Sequence, residues 1–433
     1  MKIKSITLKN FRGIQDLNLS LNEKSTVIFG VNGVGKSSIL RSIDLLYANI
    51  IAKLLRSKKL LAEMNEDDIM SGKSKAIIAA VFCFPSGEQM EYSRSISTIE
   101  GKKNIKKLSE LTKHFEAQYI TRNQEDDNGN LVIVEDKKNM PIFVNYGVNR
   151  LVIDISLKAT EKKNFEKLSA FDKAIEDKID FSSLFEWFRI QEDLENQEKV
   201  RSRQGMEYEN RDLKAVRTAM VAMLDGFEHI RVERQPLTMV AEKNGVSLNM
   251  NQLSDGEKCT IALFGDLARR LAIANPVMKN PLDGTGVVLI DELELHMHTQ
   301  WQRKALKVLR EVFPNIQFIV TTHSPQVLGE VTEEYNLITL KKTNTKIEVK
   351  EYKSLYGWDS NAILEEMMDT SSFSLCVKKW VENMYDALEA GDYDKTEKYA
   401  NLVDEITRGR NESVAKIRVL LARRRRYEKN KEG

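Results

Sequence analysis

The chain has 433 residues, of which 42% are hydrophobic and 30% are charged, and its formal net charge is +2. This is the composition of an ordinary globular protein that is long enough for two or three domains. No apolar run approaches the roughly 20 residues of a membrane span, and the N-terminus alternates like a strand rather than a signal peptide. We therefore expect a cytoplasmic protein with no membrane partner.

The three cysteines, Cys83, Cys259 and Cys376, stand apart from one another in the sequence. None has the C-x-x-C spacing of a zinc or redox site, which argues against a disulfide framework. We expect all three to be buried thiols.

The first predicted elements lead into a glycine-rich loop. Period-two alternation in residues 3–9 and 17–21, on either side of a turn, predicts an antiparallel pair of strands. The apolar run 27–29 then predicts a strand, and residues 38–46 predict an amphipathic helix. Between these two elements, residues 30–37 read GVNGVGKS, which matches the phosphate-loop pattern G-x-x-x-x-G-K-[ST] in full.

A phosphate loop in this position predicts a nucleotide site. Its backbone N–H groups and the helix N-terminus surround phosphate oxygens, Lys36 reaches the β- and γ-phosphates, and the Ser37 hydroxyl ligates Mg²⁺. The alternative, a glycine-rich turn with a chance Lys-Ser pair, leaves the flanking strand and helix unexplained. Arg12, on the neighbouring turn, is a further candidate for contact with the nucleotide, with a solvated turn arginine as the alternative. The predicted cofactor-binding residues of this region are Arg12, Asn32, Gly33, Gly35, Lys36, Ser37 and Ser38.

The middle of the chain is less distinctive. Residues 76–82 and 89–93 predict a strand pair, the lysine-rich residues 101–140 a surface insertion, and residues 141–147 a strand that opens into a polar turn. Helical periodicity follows in residues 160–225, and strands return at 227–249. The predicted domains are a first lobe with the phosphate loop (1–150), a short helical subdomain (151–225), a second lobe (226–352) and a helical C-terminal module (353–433).

A second group of motifs lies in the predicted second lobe. Ser254 and Glu257 precede the helix predicted over 258–274 and fit the S-x-x-E capping box, although that role leaves Gly256 unexplained. The apolar run 286–290 predicts a buried parallel strand that ends in Asp291 and Glu292. Beside a phosphate loop, Asp291 would hold the Mg²⁺ shell and Glu292 would orient or deprotonate the attacking water.

A third apolar strand, predicted over residues 316–320, brings His323 to the same sheet edge, where the imidazole can reach a γ-phosphate. The order of phosphate loop, signature, acidic strand and histidine resembles the ABC class of ATPases. The resemblance implies an α/β head with a mixed sheet, flanking helices and two lobes, carrying a short helical insertion and a helical C-terminal extension. It also implies that two heads enclose ATP and Mg²⁺, with Ser254 and Gly256 of one copy binding the nucleotide held by Lys36 of the other.

Residues 6–13 and 253–257 resemble SMC, Rad50 and RecF-type heads rather than transporter ATPases, and the insertion is too short for a long coiled coil. The chain is similar to a RecF-related family that includes the PtuA-like ATPase subunits of Septu-type and retron-associated antiphage systems. This resemblance implies an ATP-dependent dimer or higher oligomer, a separate nuclease partner of HNH type, and contact with DNA or a retron RNA–DNA complex. The residues that carry it lie at 253–257, 265–270, 291–298, 301–303, 313–326 and 356–364.

Three alternatives stay open: a RecF-like DNA repair protein, a transporter ATPase, and a chain in which ATP is only a structural ligand. No clear glutamine loop is present, and the role of the turn 146–150 near Mg²⁺ is undefined. His296 and His298 have a spacing compatible with metal ligands, although the family uses this loop for contact across the dimer.

The C-terminal residues predict three helices, over 373–390, 393–407 and 412–426. No D-x-D pattern lies on an apolar strand here, so we expect the chain to cut no nucleic acid itself. Residues 408–431 contain ten Lys or Arg against two acids. Such a tail suits nucleic acid or an acidic partner, or it is simply the solvated face of a terminal helix.

Overall fold

The computed structural model describes residues 1–57, 62–99, 103–121, 124–125, 131–132, 138–150, 165–201, 208–343, 346–368, 370–371 and 373–429. The described chain divides into two units, Met1–Trp358 and Asp359–Gly433. Among the described residues, no helix is long and apolar enough to cross a membrane.

The strands are β1 Lys2–Phe11, β2 Ile14–Ser20, β3 Thr26–Phe29, β4 Lys75–Cys83, β5 Gln89–Ser97, β6 Lys103–Lys106, β7 Gln124–Glu125, β8 Leu131–Val132, β9 Ile142–Tyr146, β10 Phe227–Arg234, β11 Leu237–Lys243, β12 Val246–Asn249, β13 Gly286–Ile290, β14 Ile316–Thr322, β15 Asn336–Thr343 and β16 Lys346–Tyr352. The α-helices are α1 Lys36–Leu54, α2 Leu108–Tyr119, α3 Phe181–Arg201, α4 Arg211–Val221, α5 Asp255–Ala274, α6 Thr299–Val312, α7 Pro325–Leu328, α8 Ser360–Ala362, α9 Leu375–Glu389, α10 Tyr393–Thr407 and α11 Glu412–Lys429. The predicted strands are confirmed at these positions, and so are the helices predicted over 38–46, 258–274, 373–390, 393–407 and 412–426. The helical periodicity predicted over 160–225 corresponds to α3 and α4, while residues 151–164 and 202–207 lie outside the described residues.

A six-stranded mixed sheet is the centre of the first unit. Its order is β16-β15-β3-β14-β13-β9, with every neighbouring pair parallel except β15 and β16. Strands β3, β13 and β14 are buried along their whole length, as their unbroken apolar runs predict for strands covered on both faces. Because these strands are parallel, the chain segments that follow them emerge at the same edge.

A second, antiparallel sheet has the order β2-β1-β4-β5-β6 and contains both predicted hairpins. Helix α1 packs against strands of both sheets. The Tyr47 ring of α1 stacks on Phe143 of β9 at 3.7 Å between centroids and meets the edge of Phe82 of β4 at 5.5 Å. The helix that follows the phosphate loop is therefore anchored between the two sheets.

Two parts of this unit differ from the sequence predictions. Residues 108–119 form a helix whose Leu111 and Phe115 are buried, so this part of the expected surface insertion packs into the lobe. The polar stretch 126–130 lies outside the described residues. The hairpin of β15 and β16 was not predicted, and its strand β15 pairs directly with β3 in front of the phosphate loop.

The signature region and the helical insertion pack together. Helix α5 contacts α3, α4 and the 3₁₀ turn Lys167–Phe171. At its centre, the Asp266 carboxylate accepts hydrogen bonds from Arg269, Arg270 and the Tyr146 hydroxyl. Although burial favours the neutral acid, these two arginines lower the pKa of Asp266 to about 2. A buried, hydrogen-bonded charge cluster thus joins β9 to the signature helix.

The second unit contains α9, α10 and α11, packed around one apolar cluster that includes Met384, Val403 and Ile417. Cys83 and Cys259 are buried as expected, but Cys376 is exposed, so that expectation was wrong. Cys376 lies beside the exposed Leu375 at the start of α9, on the side of the helix that faces away from the cluster.

Candidate nucleotide site

The loop between β3 and α1 has the backbone of a phosphate loop. Gly33 and Gly35 have φ angles of 76° and 110°, which side chains disfavour, and Gly35 is the N-cap residue of α1. The first N–H groups of α1 have no intrahelical acceptor, so they are available to an anion at this end of the helix. The loop therefore suits the phosphates of a nucleotide.

A cavity of about 220 Å³ opens at this loop. Most of the predicted site residues line it together: Asn32, Gly33, Gly35, Lys36, Ser37, Ser38, Asp291, Glu292 and His323. Gly13, Val34 and Lys342 complete the lining. The donor set fits ATP with Mg²⁺, because the cavity combines N–H groups and an ammonium for phosphate with a hydroxyl and a carboxylate for the metal.

Lys36 is buried at the base of this cavity. Its Nζ donates to the carbonyl oxygens of Gly30 at 2.8 Å and Val31 at 3.0 Å. Burial lowers the pKa of Lys36 to about 8, and the charge of Asp291 opposes that shift. An incoming phosphate would replace neutral carbonyl acceptors with a charged one, which strengthens the hydrogen bonds of the ammonium.

The two acids after β13 are held by the neighbouring strand β14. The Thr321 hydroxyl donates to the Asp291 carboxylate and accepts from the Glu292 N–H at 2.8 Å. The Asp291 N–H donates to the Tyr146 carbonyl at 2.9 Å, which continues the ladder towards β9. Glu292 has a φ of 48°, so its backbone leaves the strand direction at this residue.

A third acid, Glu294, holds the segment that carries His323. Its carboxylate accepts from the Thr322 hydroxyl at 2.7 Å and from the His323 N–H at 2.5 Å. Burial, followed by the charge of Lys36, lowers the pKa of the His323 imidazole. The lowered pKa favours the neutral ring, which can serve as a hydrogen-bond partner for phosphate or water.

The predicted capping box at the start of α5 is confirmed. The Ser254 N–H and hydroxyl each donate to the Glu257 carboxylate at 2.8 Å, and Lys243 pairs with the same carboxylate at 2.6 Å. A Cβ atom on Gly256 would lie 2.4 Å from the His296 carbonyl oxygen, so only glycine lets the signature approach the turn after the acidic strand. Neither Ser254 nor Gly256 lines the cavity of its own chain, and their role in a second copy stays a prediction.

Arg12 makes an ion pair with Asp68 at 2.8 Å, and it is Gly13 that lines the cavity. Its contact with nucleotide stays a prediction.

His298 is the N-cap residue of α6, and its ring accepts from the Gln300 N–H at 3.4 Å. In the part of the chain that the structure describes, no group of three His, Cys, Asp or Glu could hold a metal ion, and the metal alternative for His296 and His298 gains no support.

Four residues of this region were missed by reasoning from the sequence: Arg150, Glu294, Thr321 and Lys342. Thr321 precedes the predicted histidine, and Glu294 follows the predicted acids, so their proximity in sequence was the available signal. Lys342 lies on the unpredicted strand β15 and had no such signal. Arg150 lies in the turn 146–150, whose role the sequence left undefined.

The cavity combines a phosphate loop, an acidic strand and a histidine, and a capped signature helix lies beside it. These features together define an ATPase of the ABC class. The model of the family described as "AAA domain, putative AbiEii toxin, Type IV TA system" matches residues 91–329, and a family of unknown function matches residues 1–59. The chain is 30% identical to a retron Vc95 probable ATPase of Vibrio cholerae, over 77% of this chain and 72% of the relative. It belongs to this AAA-domain family and is a homologue of that retron ATPase.

Other relatives also match over most of the chain. The chain is 28% identical to a retron Ec83 probable ATPase of Escherichia coli over 86% of this chain and 77% of that protein. It is 23% identical to a Septu protein PtuA of Bacillus thuringiensis over 84% of each chain. A solved SMC head bound to the C-terminal winged-helix domain of ScpA aligns over 82% of this chain and 98% of that chain, with 17% identity and a TM-score of 0.48.

Proposed function

We propose that this ATPase is the regulatory subunit of an antiphage defence complex and controls a separate nuclease, of HNH type, through its nucleotide state. The proposed ATPase activity rests on one observation. Lys36, Ser37, Asp291 and Glu292 line the same cavity. The defence part is supported by the relatives, which are named as retron probable ATPases and Septu proteins PtuA. The proposed site of action is the cytoplasm.

Hydrolysis would proceed with the chain's own groups in separate roles. Lys36 would bind the β- and γ-phosphates, and Ser37 and Asp291 would hold Mg²⁺, which would supply positive charge to stabilise the reacting phosphate. Glu292 accepts the proton of the attacking water, and the neutral His323 ring orients the γ-phosphate or that water. Thr321 keeps the two acids in register, because one hydroxyl bonds to both residues.

The active form would be a head-to-head dimer. Ser254 and Gly256 lie outside the cavity of their own chain, at a helix N-terminus that suits an anion. In the proposed dimer they contact the γ-phosphate that the second copy holds. ATP then favours the closed state because only that state offers both sets of contacts, and hydrolysis removes the preference.

The proposed domains are those predicted from the sequence, with lobes at 1–150 and 226–352, a helical subdomain at 151–225 and a C-terminal module at 353–433. The module would dock the nuclease or assist self-assembly. Its described helices bury one cluster of their own and leave apolar side chains exposed on α11, including Val419 and Leu420.

Co-purification from the native operon tests the partner. The tagged chain is isolated with ATP and without it, and the recovered proteins are identified by mass spectrometry and sized by light scattering. A stoichiometric HNH-type protein and an ATP-dependent dimer are expected, and Lys36→Ala serves as the matched control that should stay monomeric. A chain that comes without a nuclease and retains duplex DNA would contradict the proposal.

A RecF-like role is the second candidate. The chain is 28% identical to a DNA replication and repair protein RecF of Chlamydia trachomatis over 41% of this chain. Helix α11 carries four consecutive arginines, Arg423 to Arg426, of which Arg425 pairs with Glu397 at 2.8 Å. Duplex binding by the chain alone, with affinity that falls steeply as salt rises, would favour this candidate.

A further inference from the structure

The turn after β9 ends in an arginine that is only 2% exposed. Its guanidinium donates to the carbonyl oxygen of Gly147 at 2.9 Å, in its own turn. It also donates to the carbonyl oxygens of Asp291 and Glu292, each at 2.5 Å. Arg150 thus connects the end of β9 to the backbone of both acids at the nucleotide cavity.

The hydrogen bonds of this arginine's guanidinium go to backbone carbonyl oxygens. Burial lowers the pKa of its guanidinium, and the nearby charges of Glu294, Asp291 and Glu292 oppose that shift. A buried charge is costly unless its hydrogen bonds are made, so several carbonyl groups must converge on it. Nη2 also lies 3.4 Å from the Leu293 oxygen and 3.5 Å from the Leu295 oxygen.

The converging carbonyls belong to a turn with an unfavourable backbone. Glu292 and His296 both have a positive φ, at 48° and 65°. A residue other than glycine in this region costs about 1–2 kcal/mol, so the turn needs contacts that over-determine its shape. The planar fork of Arg150 supplies them, because its N–H groups point in fixed directions that a lysine ammonium cannot reproduce.

The position of Arg150 is itself restrained. Its own carbonyl oxygen accepts a hydrogen bond from the Cys259 thiol of α5 at 3.6 Å. The strand before it is anchored by the Tyr146 hydroxyl, which donates to the buried Asp266 at 2.8 Å. Arg150 therefore has a fixed position relative to β9 and α5. Its hydrogen bonds hold the acidic turn, residues 291–296, relative to these two elements.

We propose that Arg150 is a positioning residue for ATP hydrolysis: it holds the backbone of Asp291 and Glu292 so that both carboxylates face the nucleotide. This role rests on the proposed function of Glu292 and gives a function to the turn 146–150. Arg150 does not line the cavity, so it acts on turnover through the acids and not by binding ATP.

The test compares Arg150→Gln and Arg150→Lys with Tyr335→Phe in the full chain. Gln keeps one N–H donor group and Lys keeps the positive charge, but neither keeps the planar arrangement of several N–H donors that the guanidinium has. A misplacement of about 1 Å at a reacting group can cost about 100-fold in rate, so we expect kcat to fall about 100-fold in Arg150→Gln. Arg150→Lys should recover part of the loss, while the KM and Kd for ATP change by less than about threefold, since transition-state geometry alone is altered.

Tyr335→Phe is the matched control, because it removes a buried hydrogen bond, from the Tyr335 hydroxyl to the Leu306 carbonyl at 2.7 Å, away from Arg150 and the acidic turn. It should lower the melting temperature and leave kcat unchanged. Equal losses of kcat in the control and in the Arg150 variants, or a loss of ATP affinity in place of kcat, would overturn the inference.

The inference and the proposed function can fail separately. Turnover of the wild type and of Glu292→Gln shows whether Glu292 is the base. If it is not, hydrogen exchange of the amides of residues 292–295 still tests Arg150, and faster exchange in Arg150→Gln than in Tyr335→Phe is expected. Unchanged exchange in these amides would refute the positioning role whatever the chemistry of the site.

Discussion

Thr321→Val removes one hydroxyl at the centre of the site and keeps the shape of the side chain. Thr321 is fully buried on β14, and its hydroxyl makes two hydrogen bonds, one to the Asp291 carboxylate and one from the Glu292 N–H. A bond to a charged group contributes about 1.5–3 kcal/mol and a neutral one about 0.5–1.5 kcal/mol. Asp291 is partly exposed, so water can replace the lost hydrogen bond to its carboxylate. We therefore expect a loss near the lower limit of the two contributions together, about 2 kcal/mol of unfolding free energy.

The assay is equilibrium unfolding in urea, together with ATP turnover across a Mg²⁺ titration. Without the hydroxyl, Asp291 loses its orientation, and half-maximal turnover should need more Mg²⁺. Thr112→Val on α2 is the control, since that buried hydroxyl bonds only to the Leu108 and Ser109 carbonyls. It should cost less than about 1 kcal/mol and leave the Mg²⁺ dependence unchanged. A Thr321→Val protein as stable as the Thr112→Val control, with an unaltered Mg²⁺ titration, would refute the reasoning.

Three further outcomes are expected. Glu292→Gln removes the proposed base, so kcat should fall about 100- to 10,000-fold while sizing experiments show that ATP still produces a dimer. Gly256→Ala places a methyl group 2.4 Å from the His296 oxygen and should cost about 1–3 kcal/mol in urea unfolding, whereas Gly13→Ala, which meets no atom within 4 Å, should be tolerated. Since the pKa of Lys36 is lowered to about 8, its charge is present below pH 8 and is lost above it. Bound phosphate raises that pKa, so ATP affinity should fall above pH 8 with proton uptake in calorimetry, and Lys36→Arg should show no such fall.

The elements that local pattern specifies were predicted correctly. The phosphate loop, the apolar strand before Asp291 and the capping box of Ser254 each depend on residues close together in sequence. Helix α10 begins and ends at the predicted residues, because its apolar spacing and its Asp392 cap are local signals. Helix α2 was missed because it follows a lysine-rich run and has few buried apolar side chains.

By itself, the sequence determined the class of protein and the candidate residues of the nucleotide site, because a phosphate loop and an acidic strand are short motifs with a defined chemistry. The tertiary structure decided how those residues are held. Thr321 bonds to acids 30 residues away, and Arg150 bonds to the backbone of residues more than 140 positions away. Such contacts arise where parallel strands end at a common edge, and no local period or spacing in the chain encodes them.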